Sequence, residues 1–123
     1  MIWLIGAGGA IGAAARYLLG AFLKSRGKGE FPAGTWLINI TGSLLLGMLT
    51  GLYVSQSLAP WLWNLFGIGF CGAYTTFSTF GTENMALIEK KKYKIALFYI
   101  VSTVITGILA AAAGYFLILK FIQ

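Results

Sequence analysis

Four apolar stretches fill most of this 123-residue chain. Each is close to the length of about 20 mostly apolar residues that a helix needs to cross the hydrocarbon core of a bilayer. The first runs from about Ile2 to Leu23 and stops at the basic stretch Lys24 to Glu30. The second follows Pro32, covers about 33–54 and ends in the polar turn Ser55-Gln56-Ser57. Pro60 precedes the third, at about 61–80, and the fourth covers about 95–119 after the run Lys90-Lys91-Lys92-Tyr93-Lys94. Trp3, Trp36, Trp61, Trp63 and Tyr93 lie near span ends, where amphipathic rings favour the interface. The pattern predicts an all-α integral membrane protein, one four-span domain over 1–123, with no separate soluble domain and no clear repeat. The first stretch lacks a basic leader and continues for a full span, so it is expected to be a mature helix rather than a cleaved signal.

Composition narrows the chemistry. Hydrophobic residues make up 59% of the chain and charged residues only 10%, against about 25% charged in soluble domains. There is no His or Asp, and the only acids are Glu30, Glu83 and Glu89. With no His, no Asp and three glutamates, metal-ligand clusters, Ser-His-Asp triads and paired-carboxylate sites are almost excluded, so no enzyme is expected. Cys71 lies alone in an apolar run and reads as a small buried hydrophobe. The net charge of +6 sits beside the spans, which suits lipid head groups better than nucleic acid. Lys24, Arg26, Lys28, Lys90, Lys91, Lys92 and Lys94 all fall on one side, so the positive-inside rule predicts both termini outside.

Small residues give the spans a way to associate. Gly8 and Gly12 form one GxxxG pair, and Gly47 and Gly51 another. Such pairs let helix backbones approach closely where no hydrophobic effect drives association. Packing is the plain role for most of these glycines. Four short spans would still enclose a polar track poorly alone, which points to a dimer or larger assembly.

The polar groups inside the spans are the candidate functional residues. Arg16 lies about two turns before the basic end of the first span. A central arginine costs roughly 2.5 to 3.5 kcal/mol on insertion scales. It either snorkels to the loop side or gives a vestibule a positive potential that attracts anions. Thr35, Asn39, Gly42 and Ser43 share one face of the second span, and Tyr99, Ser102, Thr103 and Thr106 share one face of the fourth. Asn39 offers two donors and one acceptor; it serves either as an interhelical bond or as a donor to a solute. Thr75, Thr76, Ser78 and Thr79, after Gly72, are weak helix formers in a row. A break there would free backbone carbonyls of the kind that hold a small cation such as Na⁺ in transporters. Phe77 and Phe80 stand three residues apart, so their positive ring edges are available to an anion, unless they serve only for packing. Glu83, one turn on, is placed to cap this span or to stand at a pore mouth.

Three blocks then resemble the Fluc (CrcB) family of fluoride channels: Gly8 to Tyr17, Phe31 to Gly42 and, most specifically, Gly69 to Phe80 with its Thr-Thr-Phe-Ser-Thr-Phe core. The resemblance covers the whole chain. It implies an antiparallel, dual-topology dimer of four-span subunits in the cell inner (plasma) membrane, with the third helix broken. It implies passive, chloride-rejecting fluoride efflux that protects against fluoride toxicity. By motif, Asn39 would donate its amide to fluoride, Phe77 and Phe80 would present ring edges, and Tyr99 and Thr103 would supply hydroxyls, with Ser78, Thr79 and Glu83 as additions. Arg16 would lie near the vestibule. The carbonyls of Gly72 and Thr75 would hold a structural Na⁺ at the dimer interface.

Two features depart from that pattern. The position one turn beyond Thr103 is Gly107 rather than a hydroxyl, with Thr106 beside it. The one-sided basic charge is also unusual for a sequence inserting both ways, so a second, oppositely oriented subunit is an alternative to the homodimer. Two other classes compete with a channel. A small antiparallel proton-coupled anion or drug transporter would normally need a carboxylate or histidine deep in a span. A structural membrane subunit would use its polar faces only to hold helices together.

Overall fold

The computed structural model describes residues 1–26, 29 and 31–122; Lys28 and Glu30 of the basic connection lie outside the described residues. Every regular element among them is helical. They are α1 (Ile2–Arg26), α2 (Ala33–Val54), the single turn α3 (Pro60–Leu62), a π-helical stretch Trp63–Cys71, the single turn α4 (Gly72–Tyr74), α5 (Ser78–Glu89) and α6 (Tyr93–Ile122). Helices α1, α2 and α6 are long and apolar enough to cross a membrane. The protein is thus an all-helical, multi-pass membrane protein.

The helices outrun the apolar stretches. α1 passes the expected end at Leu23 and α6 begins at Tyr93 rather than Ile95. Apolar length marks where hydrocarbon ends, whereas backbone hydrogen bonding continues into the polar interface. The largest difference is in the third span. Helix stops at Tyr74, resumes at Ser78 and then continues past Phe80 to Glu89. Glu83 therefore lies within α5 and does not cap it.

Two helix ends close by the same device. After α2, the amide of Gln56 donates to the Tyr53 carbonyl and that of Ser57 to Leu52 at 2.8 Å. After α5, Lys91 donates to Ile88 and Lys92 to Leu87, also at 2.8 Å. This paired pattern needs a left-handed residue just past the helix, usually glycine. Here Gln56 (φ 62°) and Lys91 (φ 60°) adopt it, at a strain of about 1 to 2 kcal/mol each.

The bundle is built on two close pairs, α2 against α6 and α1 against the π-helical stretch. Glycine makes both possible. A Cβ on Gly8 would run into the Leu65 carbonyl, and one on Gly12 into that of Phe70. From the other side, a Cβ on Gly69 would meet the Ile5 carbonyl at 2.6 Å. On the second pair, Gly47 abuts the Ala111 carbonyl and Gly114 that of Leu44. Both GxxxG pairs thus serve contacts within the chain itself. The α5–α6 hairpin buries a smaller cluster of Leu87, Ala96 and Tyr99, flanked by Phe31, Trp36, Phe80 and Ile95.

Candidate functional site

The site begins where helix gives way between α4 and α5. Thr75 turns to an extended conformation (φ −74°, ψ 153°), and one side chain of α2 takes over the freed backbone. Asn39 Nδ2 donates to the Thr76 carbonyl at 3.1 Å, and the Thr76 amide donates to Asn39 Oδ1 at 2.8 Å. The two bonds pair both backbone groups of Thr76, which hydrocarbon could not satisfy. Two residues before α5, the Thr76 hydroxyl accepts from the Thr79 amide at 3.2 Å and so satisfies one of the free donors in that helix's first turn.

The break leaves several carbonyls without helical donors, and at two of them the lost amide goes to a side chain instead. The Gly72 carbonyl would normally receive the Thr76 amide, which goes to Asn39 instead. The Thr75 carbonyl would receive the Thr79 amide, which goes to the Thr76 hydroxyl. A Cβ placed on Gly72 would meet nothing within 4 Å, so this side of the break is open. Cys71, by contrast, has its carbonyl occupied by both the amide and the hydroxyl of Thr75.

A second cluster forms around Tyr99, which is 0% exposed. Its hydroxyl donates to Glu83 Oε1 at 2.9 Å. Its ring packs edge-on against Phe80 at 4.9 Å and Phe31 at 5.4 Å. Phe77 lies 6.1 Å from Phe80, ring centre to ring centre, but is 83% exposed. Ser78 and Thr79 are also exposed.

The hydroxyls on α6 meet different fates. Ser102 accepts from Trp36 Nε1 at 3.2 Å, and Thr106 bonds back to the Ser102 carbonyl of its own helix. Thr103 Oγ1 is buried with no hydrogen-bond partner. The sequence pattern put all four polar residues on one face; only packing separates the occupied ones from the free one.

The structure thus brings Asn39 to the Thr75–Thr76 break, and Phe80 and Tyr99 to Glu83. It brings neither Phe77 nor Arg16 into a polar cluster. A cavity of about 630 Å³ opens beside the Tyr99 cluster at the basic end, lined by Lys24, Phe31, Thr35, Thr79, Glu83 and Lys90 among others. Arg16, half-buried, is not among its lining residues; it stands about 12 Å along α1 from Lys24 at 1.5 Å per residue. The start of α2 borders the cavity with no side-chain cap and no acidic residue in its first turn.

One buried polar residue escaped the sequence reading. Asn84 is 6% exposed, its Nδ2 donates to the Phe80 carbonyl at 2.9 Å, and its Oδ1 lacks a partner. It lies beyond the expected span end, where an amide raises no alarm in sequence.

Comparisons with known proteins agree with this architecture. Residues 3–115 match the family model described as CrcB-like protein, Camphor Resistance (CrcB). A protein of Clostridium acetobutylicum named fluoride-specific ion channel FluC 2 is 47% identical over 94% of this chain and 95% of its own length. Fluoride-specific ion channel FluC 1 of Listeria monocytogenes is 47% identical over 93% of each chain. FluC 2 of Bacillus subtilis is 44% identical over 89% of this chain and 80% of its own. With a family match across nearly its full length and a helical membrane architecture to go with it, the chain belongs to the CrcB family.

Proposed function

We propose that this protein is a fluoride-specific ion channel that lets fluoride leave the cytoplasm passively across the inner membrane and so limits its toxicity. The function is transport, not enzyme catalysis. The observation that carries the reading is near-half identity, over almost the whole chain, to proteins named as fluoride-specific channels. The site's chemistry supports it. Fluoride is small and strongly hydrated, so its passage needs close neutral donors that replace water stepwise and release the ion again.

Such donors are at hand. Asn39 spends one N–H on Thr76 and keeps a second. The Thr103 hydroxyl has no partner to give up. Ser78 and Thr79 offer exposed hydroxyls, and Phe77 and Phe80 their ring edges. The Tyr99 hydroxyl is shared with Glu83 and joins the track by exchanging that bond. Arg16 contributes positive potential from α1.

One subunit offers no wall opposite Phe77. An apolar ring 83% exposed at a break in the fold suits an interface with a second copy. We read the assembly as an antiparallel, dual-topology homodimer of four-span subunits, the third span interrupted at Thr75–Phe77. The Gly72 and Thr75 carbonyls, stripped of their donors, suit a hard cation such as Na⁺. Two carbonyls per subunit make four in a dimer, so the ion would hold the two breaks together.

The decisive experiment is fluoride efflux, read by electrode, from liposomes carrying the purified protein. Fluoride release with chloride retained, unchanged by an imposed proton gradient, is expected. Vesicles that hold fluoride, leak chloride equally or need a proton gradient would overturn the reading.

A further inference from the structure

The cavity at the basic end is far larger than one halide needs. Its volume of about 630 Å³ falls within the roughly 300 to 1,000 Å³ typical of small-molecule sites. Its lining is two-sided. Lys24, in the last turn of α1, and Lys90, at the end of α5, supply the cationic part. Leu23, Phe31, Pro32 and Leu87 supply an apolar wall. Glu83, tied to Tyr99, also lines it. Among the described residues no ion pair neutralises either lysine. A bare inorganic anion would use the lysines and leave the apolar wall wet. A soluble apolar molecule would use the wall and leave the charges unmatched. The phosphodiester head of an anionic phospholipid, with the start of its acyl chains, matches both. It is also at the right depth, because Lys24 ends a membrane-length helix where head groups lie.

We propose that this cavity binds an anionic phospholipid, its phosphate held by Lys24 and Lys90 at the rim and its glycerol region against Leu23 and Phe31. The Glu83 carboxylate repels the phosphate and keeps it at the rim. Thr35 and Thr79 line the same cavity, so the bound lipid stands across the approach to the fluoride track and slows entry. This last consequence rests on the channel reading; the lipid site itself does not.

The test uses the full chain in phosphatidylcholine vesicles with or without phosphatidylglycerol. Lipid retained on the purified protein is counted by native mass spectrometry, and efflux is measured in parallel. The wild type should retain phosphatidylglycerol over phosphatidylcholine roughly thirtyfold, the order expected of two lysines, and should conduct more slowly when it is present. Lys24→Gln with Lys90→Gln should abolish both the retention and the slowing. Lys91→Gln with Lys94→Gln removes equal charge outside the cavity and should change neither. Equal retention by the wild type and the Lys24/Lys90 variant overturns the proposal. So does equal loss in both double variants, which would mean diffuse surface charge. Slowing by inorganic phosphate in neutral vesicles, with no lipid retained, would instead mean a free-anion site. Absence of fluoride efflux in neutral vesicles would defeat the channel reading alone, because lipid counting still decides this one.

Discussion

Where α1 meets the π-helical stretch, backbone lies directly on backbone; where α4 gives way to α5, side chains take over the backbone's own hydrogen bonds. In the first region Asn64 at one end supplies a bond to Met1; along the rest of the contact each helix satisfies its own backbone and glycine admits its neighbour. The second has lost that self-sufficiency for a few residues, and Asn39 and Thr76 restore it. The first is a rigid frame without chemical variety. The second leaves carbonyls and donors free of helical partners, the feature that interrupted helices present to ions in transporters.

The contrast predicts a graded series of failures. Gly8→Leu or Gly47→Leu should be the most severe, since each drives a side chain into a backbone carbonyl of the facing helix. No folded, monodisperse protein should survive size-exclusion chromatography; normal recovery would show that the frame can spread. Asn39→Ala comes next. It orphans the Thr76 amide and carbonyl, at about 1 to 3 kcal/mol each, and fluoride efflux should fall by an order of magnitude or more. Asn39→Asp should also abolish efflux, because it keeps the acceptor for Thr76 but loses the donor and adds a like charge. Conduction by Asn39→Asp at the wild-type rate would exclude the amide from the track.

Smaller effects test individual groups. Phe77→Ile should leave the fold of the chain intact, since the ring is exposed, yet impair efflux. Thr103→Val is a sharper probe. Removing a buried, unpartnered hydroxyl should leave thermal stability unchanged or raise it by up to about 1 kcal/mol, while efflux slows. Loss of stability with normal efflux would assign the hydroxyl to packing. The smallest change is expected from Gln56→Gly, which relieves left-handed strain and should stabilise the fold by about 0.5 to 1 kcal/mol, with conduction untouched.

Much of this architecture is readable before any coordinates. Membrane residence follows from apolar length, and the polar faces of α2 and α6 follow from helical spacing. What spacing leaves open is which polar group is already spoken for. Ser102 and Thr103 look alike in sequence, but Ser102 faces the Trp36 indole and Thr103 faces none. Glu83 looks like a span end because polarity rises there, yet α5 runs on to Glu89 and turns the carboxylate toward Tyr99. Asn84, buried within the same helix, is inconspicuous in sequence for the same reason. Arg16 drew attention as the charge deepest in a span, whereas Lys24 and Lys90 line the cavity.

The sequence by itself determined that this chain lives in a membrane as helices, because that depends on composition and local periodicity alone. The tertiary structure decided which helices touch, which carbonyls at the break lose their donors and which hydroxyl stays free. Those outcomes depend on pairs of residues far apart in the chain, such as Asn39 with Thr76 and Glu83 with Tyr99, and no local pattern encodes where two distant helices will meet.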